Sequence, residues 1–312
     1  MPSLKTIRKR IASVKSTLKI TKAMKMVAGA RLARAQARML EFRPLAQRSA
    51  SVVQAVTAKA RKELAAAPTD GGVYGSDGVA AESLAPHPLL EKRPETKALY
   101  LVISSDRGLC GAFNANVNRA ALRELRTRKE AGVEVSFATV GKKGRDYLRL
   151  RGGDIRKHFP GLAEGAEFAQ AFTRAQDIAN WVTARFSKGD IDSFTIVYNE
   201  FKSAIAQKVQ VETVLPLPDP PADAEAEEFL FEPGRDAVLE TIVPQYLAIT
   251  IFRAMLESVA SEHGARMSAM DSATRNASKL IQRLTLVYNR ARQAAITKEL
   301  MEIIGGAEAL KE

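Results

Sequence analysis

The chain has 312 residues, 46% of them hydrophobic and 26% charged, enough for a real core in one large or two modest domains, which excludes a disordered tail. A single cysteine, Cys110, excludes an internal disulfide and a multi-thiolate metal site and suits a reducing compartment; the histidines His87, His158 and His263 are scattered. The formal charge of +12 is unevenly placed, because residues 1–60 carry 14 Lys and Arg against Glu41 alone and leave the remainder close to neutral.

Ala, Leu, Arg and Lys dominate both ends, a bias toward long helices. Stepping by three and four from Leu4 reaches Ile7, Ile11, Val14, Leu18, Thr21, Lys25, Ala28, Leu32, Ala35, Met39, Phe42, Ala46, Ser49, Val53, Val56 and Ala60, with only Thr21, Lys25 and Ser49 polar. An a/d seam held for about eight heptads predicts a coiled-coil helix over residues 1–65, roughly 85 Å long, with Pro44 as the place for a kink. The segment is basic but has no apolar h-region or cleavage site, and the seam starts so early that no removable leader is expected. Residues 66–95 are rich in Gly, Pro and Ala without a period, the composition of a linker.

Ala98–Ser104, Val133–Val140 and Phe194–Asn199 are short apolar runs of strand composition, and helical spacing follows at Asn114–Ala131 and Glu167–Phe186. That alternation predicts a small, mainly parallel α/β domain over residues 96–215. Residues 216–233, with PLPDPPADAEAEE, form a proline-rich acidic linker. A seam then resumes over residues 234–312: Ile242, Tyr246, Ile249, Arg253, Leu256, Ala260, His263, Met267, Met270, Thr274, Ala277, Ile281, Leu284, Tyr288, Ala291 and Ala295, interrupted by Arg253, His263 and Thr274. This helix is expected to begin near Pro233-Gly234 and stop at Gly305-Gly306, about 100 Å later. Two helices of this length, one at each terminus, most simply pair with each other. Val243–Leu256 contains Gln245, Thr250 and Arg253, so no stretch approaches the roughly 18 uninterrupted apolar residues of a membrane span, and a soluble chain is expected.

Ser104–Asn114 (SSDRGLCGAFN) follows a strand and opens a helix, where phosphate-binding loops sit. It matches neither G-x-G-x-x-G nor G-x-x-x-x-G-K-[ST], so Gly108 and Gly111 read as allowing a tight turn and close helix packing. With no HExxH, CxxC or GxSxG either, no catalytic residue, metal or cofactor is expected. Cys110 reads as a small buried hydrophobe and His263 as a tolerated or hydrogen-bonded core residue. The basic stripe is more informative: stable coils mix signs on their solvated faces because like charges at i,i+4 destabilise a helix, so a face of one sign points to an external acidic surface. At the C-terminal end Ile296, Leu300, Ile303, Ile304 and Ala307 fall almost all round the helix, and a helix apolar on every side needs a sleeve from another protein.

Three segments together resemble one family. Ser3–Ala30, with its KITKAMKMVA core, is similar to the opening helix of the ATP synthase gamma subunit; Ser105–Asn114 (SDRGLCGAFN) resembles its internal motif, and Leu286–Leu310 its closing signature. LPLP and FEP fall between them in the expected order. The resemblance implies an α/β fold with a long antiparallel coiled coil of the N- and C-terminal helices and a small Rossmann-like domain at its foot. It implies a non-catalytic rotor subunit that couples proton flow to ATP synthesis or hydrolysis. Its partners would be the alpha and beta subunits of the catalytic hexamer, an epsilon subunit and the membrane c-ring, with no nucleic acid, on the cytoplasmic face of a bacterial inner membrane, held there only through the complex. Carried over by position, Lys22, Met24 and Lys25 would face acidic lever loops, Arg292, Gln293 and Thr297 would lie in the upper ring, and Ile296, Leu300, Ile303 and Ile304 would occupy the sleeve. Two departures stand out: the linker at 66–86 is longer than usual, and His263-Gly264 replaces small or polar helix formers.

The rival readings are a basic coiled-coil nucleic-acid-binding protein and a Rossmann-type enzyme. The first lacks stacking aromatics and a recognised module, and leaves the apolar tip unexplained; the second lacks the phosphate fingerprint.

Overall fold

The computed structural model describes residues 3–66, 93–161, 168–217 and 235–309. Its elements are α1 (Leu4–Ala66), β1 (Lys97–Ile103), α2 (Phe113–Glu130), β2 (Glu134–Val140), α3 (Lys142–Arg149), β3 (Asp154–Phe159), α4 (Phe168–Ser187), β4 (Ser193–Phe201), β5 (Gln207–Leu215) and α5 (Arg235–Ala309). Most of the two linker segments, and Glu167, lie outside the described residues. The chain divides into a two-helix unit, Met1–Arg31 with Arg266–Glu312, and an α/β unit, Leu32–Ala265.

In the two-helix unit the seam is as the heptads require. Ile7, Thr21 and Ala28 of α1 are buried and Ile11, Val14, Leu18 and Lys25 half-buried, while most positions between them are exposed. Opposite them Met270 and Ala277 of α5 are buried, and Met267, Thr274, Ile281, Leu284, Tyr288, Ala291 and Ala295 half-buried. The helices run antiparallel in one register. The Arg8 guanidinium donates to the Tyr288 hydroxyl at 2.9 Å, Thr274 donates to Thr21 at 2.9 Å, and Lys25 meets Asp271 at 2.5 Å. Gly29 faces the Met267 sulfur, so an advance of 21 residues along α1 from Arg8 is matched by a retreat of 21 along α5 from Tyr288.

The α/β unit holds a five-stranded sheet in the order β3-β2-β1-β4-β5, parallel except for β5, which returns antiparallel beside β4. Alternation along β1 sends Ala98, Tyr100 and Val102 toward α2 and α3, where Val117, Ala121, Phe137 and Leu148 close one core. Leu99, Leu101 and Ile103 face a larger core of α4 and the α/β-unit parts of both long helices: Ile178, Val182, Phe42, Val53, Leu247, Ile251 and Phe252. Phe252 stacks edge-on with Phe42 and Phe172 at 4.8 and 5.4 Å between centroids. Here α5 is buried nearly all round. One stretch of α5 reaches the length and apolarity of a membrane span, yet 61% of it is buried within the protein, so its apolarity serves internal packing.

Polar anchors fix these layers. The buried Asp192 accepts three hydrogen bonds on one oxygen, from the Thr96 amide and hydroxyl and the Lys97 amide, at 2.9, 2.6 and 2.9 Å. Burial acts to raise its pKa, but those donors outweigh it and hold the carboxyl below its ordinary value. On α5, Arg253 donates to both oxygens of Glu212 at 2.7 Å and to the Tyr198 hydroxyl at 3.1 Å, tying the helix to β5 and β4. Burial raises the Tyr198 hydroxyl well above its usual value. Glu257, one turn on, is 5% exposed in its side chain and reaches the same guanidinium only at 3.7 Å. Its pKa is raised, first by burial and against the pull of Arg253 and Arg43, with Glu200 and Glu212 adding to the rise.

Several expectations need correction. Two strands were illegible: β3 (DIRKHF) and β5 (QKVQVETVL) are half-exposed edge strands whose polar residues hide the alternation. Pro44, the expected place for a kink, lies inside α1 without ending it, as Pro244 lies inside α5, with buried residues such as Phe42 and Ala46 or Val243 and Leu247 on either side. Gly305-Gly306 does not stop α5, which remains helical to Ala309; glycine ends a helix by turning left-handed, and helical glycine costs only about 1 kcal/mol. Gly264 is a seat for the β4–β5 hairpin, since a Cβ there would lie 3.3 Å from the Ala204 backbone and 3.4 Å from the Phe201 ring.

Candidate partner-contact surface

The loop after β1 shows what the SDRGLCG motif does locally. The Ser105 amide donates to Asn114 Oδ1 at 3.0 Å, and Asn114 Nδ2 donates back to Ser105 Oγ at 2.8 Å and to Cys110 Sγ at 3.1 Å. Gly111 is left-handed at φ 56°, as a tight turn requires, and so is Leu109 at 64°, a conformation unusual for a side chain of that kind. Cys110 and Phe113 pack on Ala265 of α5, Asn199 donates to the Phe113 carbonyl at 3.4 Å, and Ser261 donates to the Asn199 carbonyl at 3.0 Å. At the carboxyl ends of β1 and β4, where a related fold would receive a phosphate, α5 packs instead through Ser261 and Ala265. Gly108 does not serve close packing, because nothing lies within 4 Å of its Cβ direction.

The residues assigned to partner contact all lie on the two-helix unit, in two bands. Lys22 is exposed, and Met24 and Lys25 are half-buried beside Thr21. Apolar side chains surround this band on the outside, with Ile20 57%, Met26 70% and Val27 49% exposed. Arg292, Gln293 and Thr297 are exposed on α5, with the Thr297 hydroxyl donating to the Gln293 carbonyl at 3.0 Å. The structure does not bring the bands together. Lys25 is level with Asp271, and the 21 residues from there to Arg292 amount to about 30 Å of helix. The register sets Ser3 opposite the neighbourhood of Gln293, so α5 projects beyond α1. There Ile296, Leu300, Ile303 and Ile304 are 53, 52, 72 and 50% exposed.

Composition and spacing did not single out Asp271. Its carboxylate takes Lys25 on one oxygen and Arg275 on the other, each at 2.5 Å, and the Lys25 hydrogen bond is the main reason its pKa lies below the ordinary value. A signal was present: each seam has polar interruptions, and sliding one antiparallel to the other brings Thr21 onto Thr274 and Lys25 beside Asp271.

Comparison with known proteins finds relatives over nearly the whole chain. A family model described as ATP synthase matches residues 3–310. The ATP synthase gamma chain of Sorangium cellulosum strain So ce56 is 51% identical, and that of Anaeromyxobacter strain Fw109-5 is 48% identical, each aligned over 100% of both chains. The chain belongs to the ATP synthase gamma-chain family. Among solved structures, a central-stalk chain of the Tetrahymena thermophila mitochondrial ATP synthase superposes with a TM-score of 0.59 at 25% identity, covering 81% of this chain and 99% of that one. A chain of the Euglena gracilis mitochondrial ATP synthase gives 0.60 at 20% identity over 98% and 94%, a likeness of fold. The family's antiparallel coil and sheet domain are thus present in this member.

Proposed function

We propose that this chain is the non-catalytic central shaft of a rotary ATP synthase, turning inside the alpha and beta subunits of the catalytic hexamer and carried on an epsilon subunit and the c-ring. The complex is a proton-translocating ATP synthase, and the chain is its peripheral rotor part, working at the cytoplasmic face of a bacterial inner membrane. The observation that carries this reading is the gamma-chain relationship over both chains' length combined with a two-helix unit whose α5 end exposes Ile296, Leu300, Ile303 and Ile304. An asymmetric shaft touches one catalytic subunit in a given way at a time, so its angle sets three different site conformations. Linkage makes the coupling reciprocal: if nucleotide affinity depends on the angle, nucleotide binding biases the angle.

In this reading residues 1–65 and 234–312 are the coil helices, 96–215 the Rossmann-like foot, and 66–95 and 216–233 the connecting linkers. Lys22, Met24 and Lys25 form the lower contact band, facing acidic lever loops of the catalytic subunits. Arg292, Gln293 and Thr297 form the upper band, and Ile296, Leu300, Ile303 and Ile304 lie in the apolar sleeve. A nucleic-acid role for the basic stripe accounts for neither the family relationship nor the tip. The test is Met24→Lys in the assembled complex, which adds a cation to the lower band. Proton pumping per ATP hydrolysed should fall while assembly is retained; an unchanged ratio refutes the placement of the band.

A further inference from the structure

We propose that Asp271 is a positioning residue that holds Lys25 within the coil and releases it to an acidic partner loop, Arg275 then keeping the carboxylate paired. The inference rests on reading Lys25 as a contact residue. Asp271 is isolated in the sequence: residues 1–31 contain no acid, and between Arg266 and Lys298 it is the one acidic residue. Every other formal charge around the lower band is positive, so Lys25 has one internal place to go.

The geometry suits exchange better than permanent bonding. The side chains of Lys25 and Asp271 are 45% and 27% exposed, and a pair so open to water adds little to stability. Lysine is a flexible stem with a compact charge, able to swing without disturbing the backbone. Asp271 Oδ2 is already engaged by Arg275, four residues on along the same helix, so departure of Lys25 does not strand an unpaired carboxylate. One layer away, Thr274 donates to Thr21, whose hydroxyl donates to the Leu18 carbonyl at 3.1 Å, fixing the register that keeps Asp271 under Lys25. The seam thus holds a cation that an approaching acidic loop can borrow and must give back.

The first measurement is the acylation rate of the Lys25 amine in the full chain, read by mass spectrometry against Lys22 as internal reference. Asp271→Asn should raise it about two- to fivefold, the range expected for losing an exposed ion pair, with Lys22 unchanged. No rise overturns the clamp. The second is ATP-driven proton pumping per ATP in the assembled complex for Lys25→Gln and for the exchange Lys25→Asp with Asp271→Lys. Lys25→Gln should lower the ratio; if it does not while Asp271→Asn still exposes the amine, the contact reading of Lys25 fails and the hand-over with it. The exchange should leave the thermal stability of the full chain at the parent's level, because the internal pair is remade, but should not recover the pumping ratio, because the outward charge is inverted. Recovery of both shows that the pair is structural only and overturns the proposal.

Discussion

Substituting two of the helical glycines, Gly29 and Gly264, should move stability in opposite directions. In a helix interior, alanine is about 1 kcal/mol more favourable than glycine, so propensity alone makes both changes stabilising by the same amount. At Gly29 the new methyl meets only the Met267 sulfur, at 3.4 Å, the mobile part of a flexible side chain. Gly29→Ala should therefore keep its gain of about 1 kcal/mol. At Gly264 the methyl sits 3.3 Å from both the Cα and the carbonyl oxygen of Ala204 and 3.4 Å from the Phe201 ring. Ala204 cannot easily withdraw, because the Ser203 amide donates to the Ala206 carbonyl and the Ala206 amide donates to the Ser203 hydroxyl, each at 3.0 Å. Overpacking against fixed neighbours costs about 1–3 kcal/mol, which outweighs the propensity gain and leaves Gly264→Ala about 1 kcal/mol less stable than the parent. The variants should differ by about 2 kcal/mol, or roughly 4–8 °C in Tm by circular dichroism on the full chain. Faster amide exchange in the β4–β5 hairpin should accompany the loss at Gly264. Equal or higher stability for Gly264→Ala than for Gly29→Ala would refute the seat.

Glu257→Gln should stabilise the chain at alkaline pH: the native carboxyl has a raised pKa, so its stability is full below the ordinary carboxylate value and lost as pH rises through the folded value. Urea unfolding should show the variant ahead by about 1–2 kcal/mol above that value and level with the parent near pH 4. Asp192→Asn should cost about 1–3 kcal/mol near neutrality, with the parent's advantage fading as pH falls through the depressed folded value; a pH-independent difference would contradict this. Removal of residues from Gly305 onward should spare most rotation and be nearly insensitive to salt, because tip burial is apolar. Neutralising Lys22 with Lys25 and Arg292 should lower coupling in a way that weakens as ionic strength passes about 0.15 M. Greater salt sensitivity in the truncated shaft would reverse that division.

The coil was legible because a seam of 3.5-residue period is a one-dimensional signal: nearly every position stepped off from Leu4 is buried or half-buried. The apolar strands β1, β2 and β4 were legible for the same reason, being buried on both faces. Edge strands β3 and β5 were not, since one polar face and a free edge relax the pattern. The contact band is an expectation of the resemblance alone, whereas Asp271 needed a register between residues far apart in sequence, as did the partnership of Arg253 with Glu212. Gly264 looked like a defect because its neighbour, Ala204, comes from a hairpin that nothing local predicts.

Because α5 outruns α1, the last stretch of the two-helix unit is mechanically a different material from the rest. A pair of helices locked along a seam resists bending as a doubled beam, whereas a lone helix of similar length is a softer rod. In the proposed shaft, a soft end seated in an apolar collar would centre itself and absorb misalignment, while the stiff doubled section would deliver sideways force at the level of Lys22 and Lys25. The overhang would there serve as a bearing pin, its exposed Ile296, Leu300, Ile303 and Ile304 offering apolar area beside the Lys298–Glu302 ion pair.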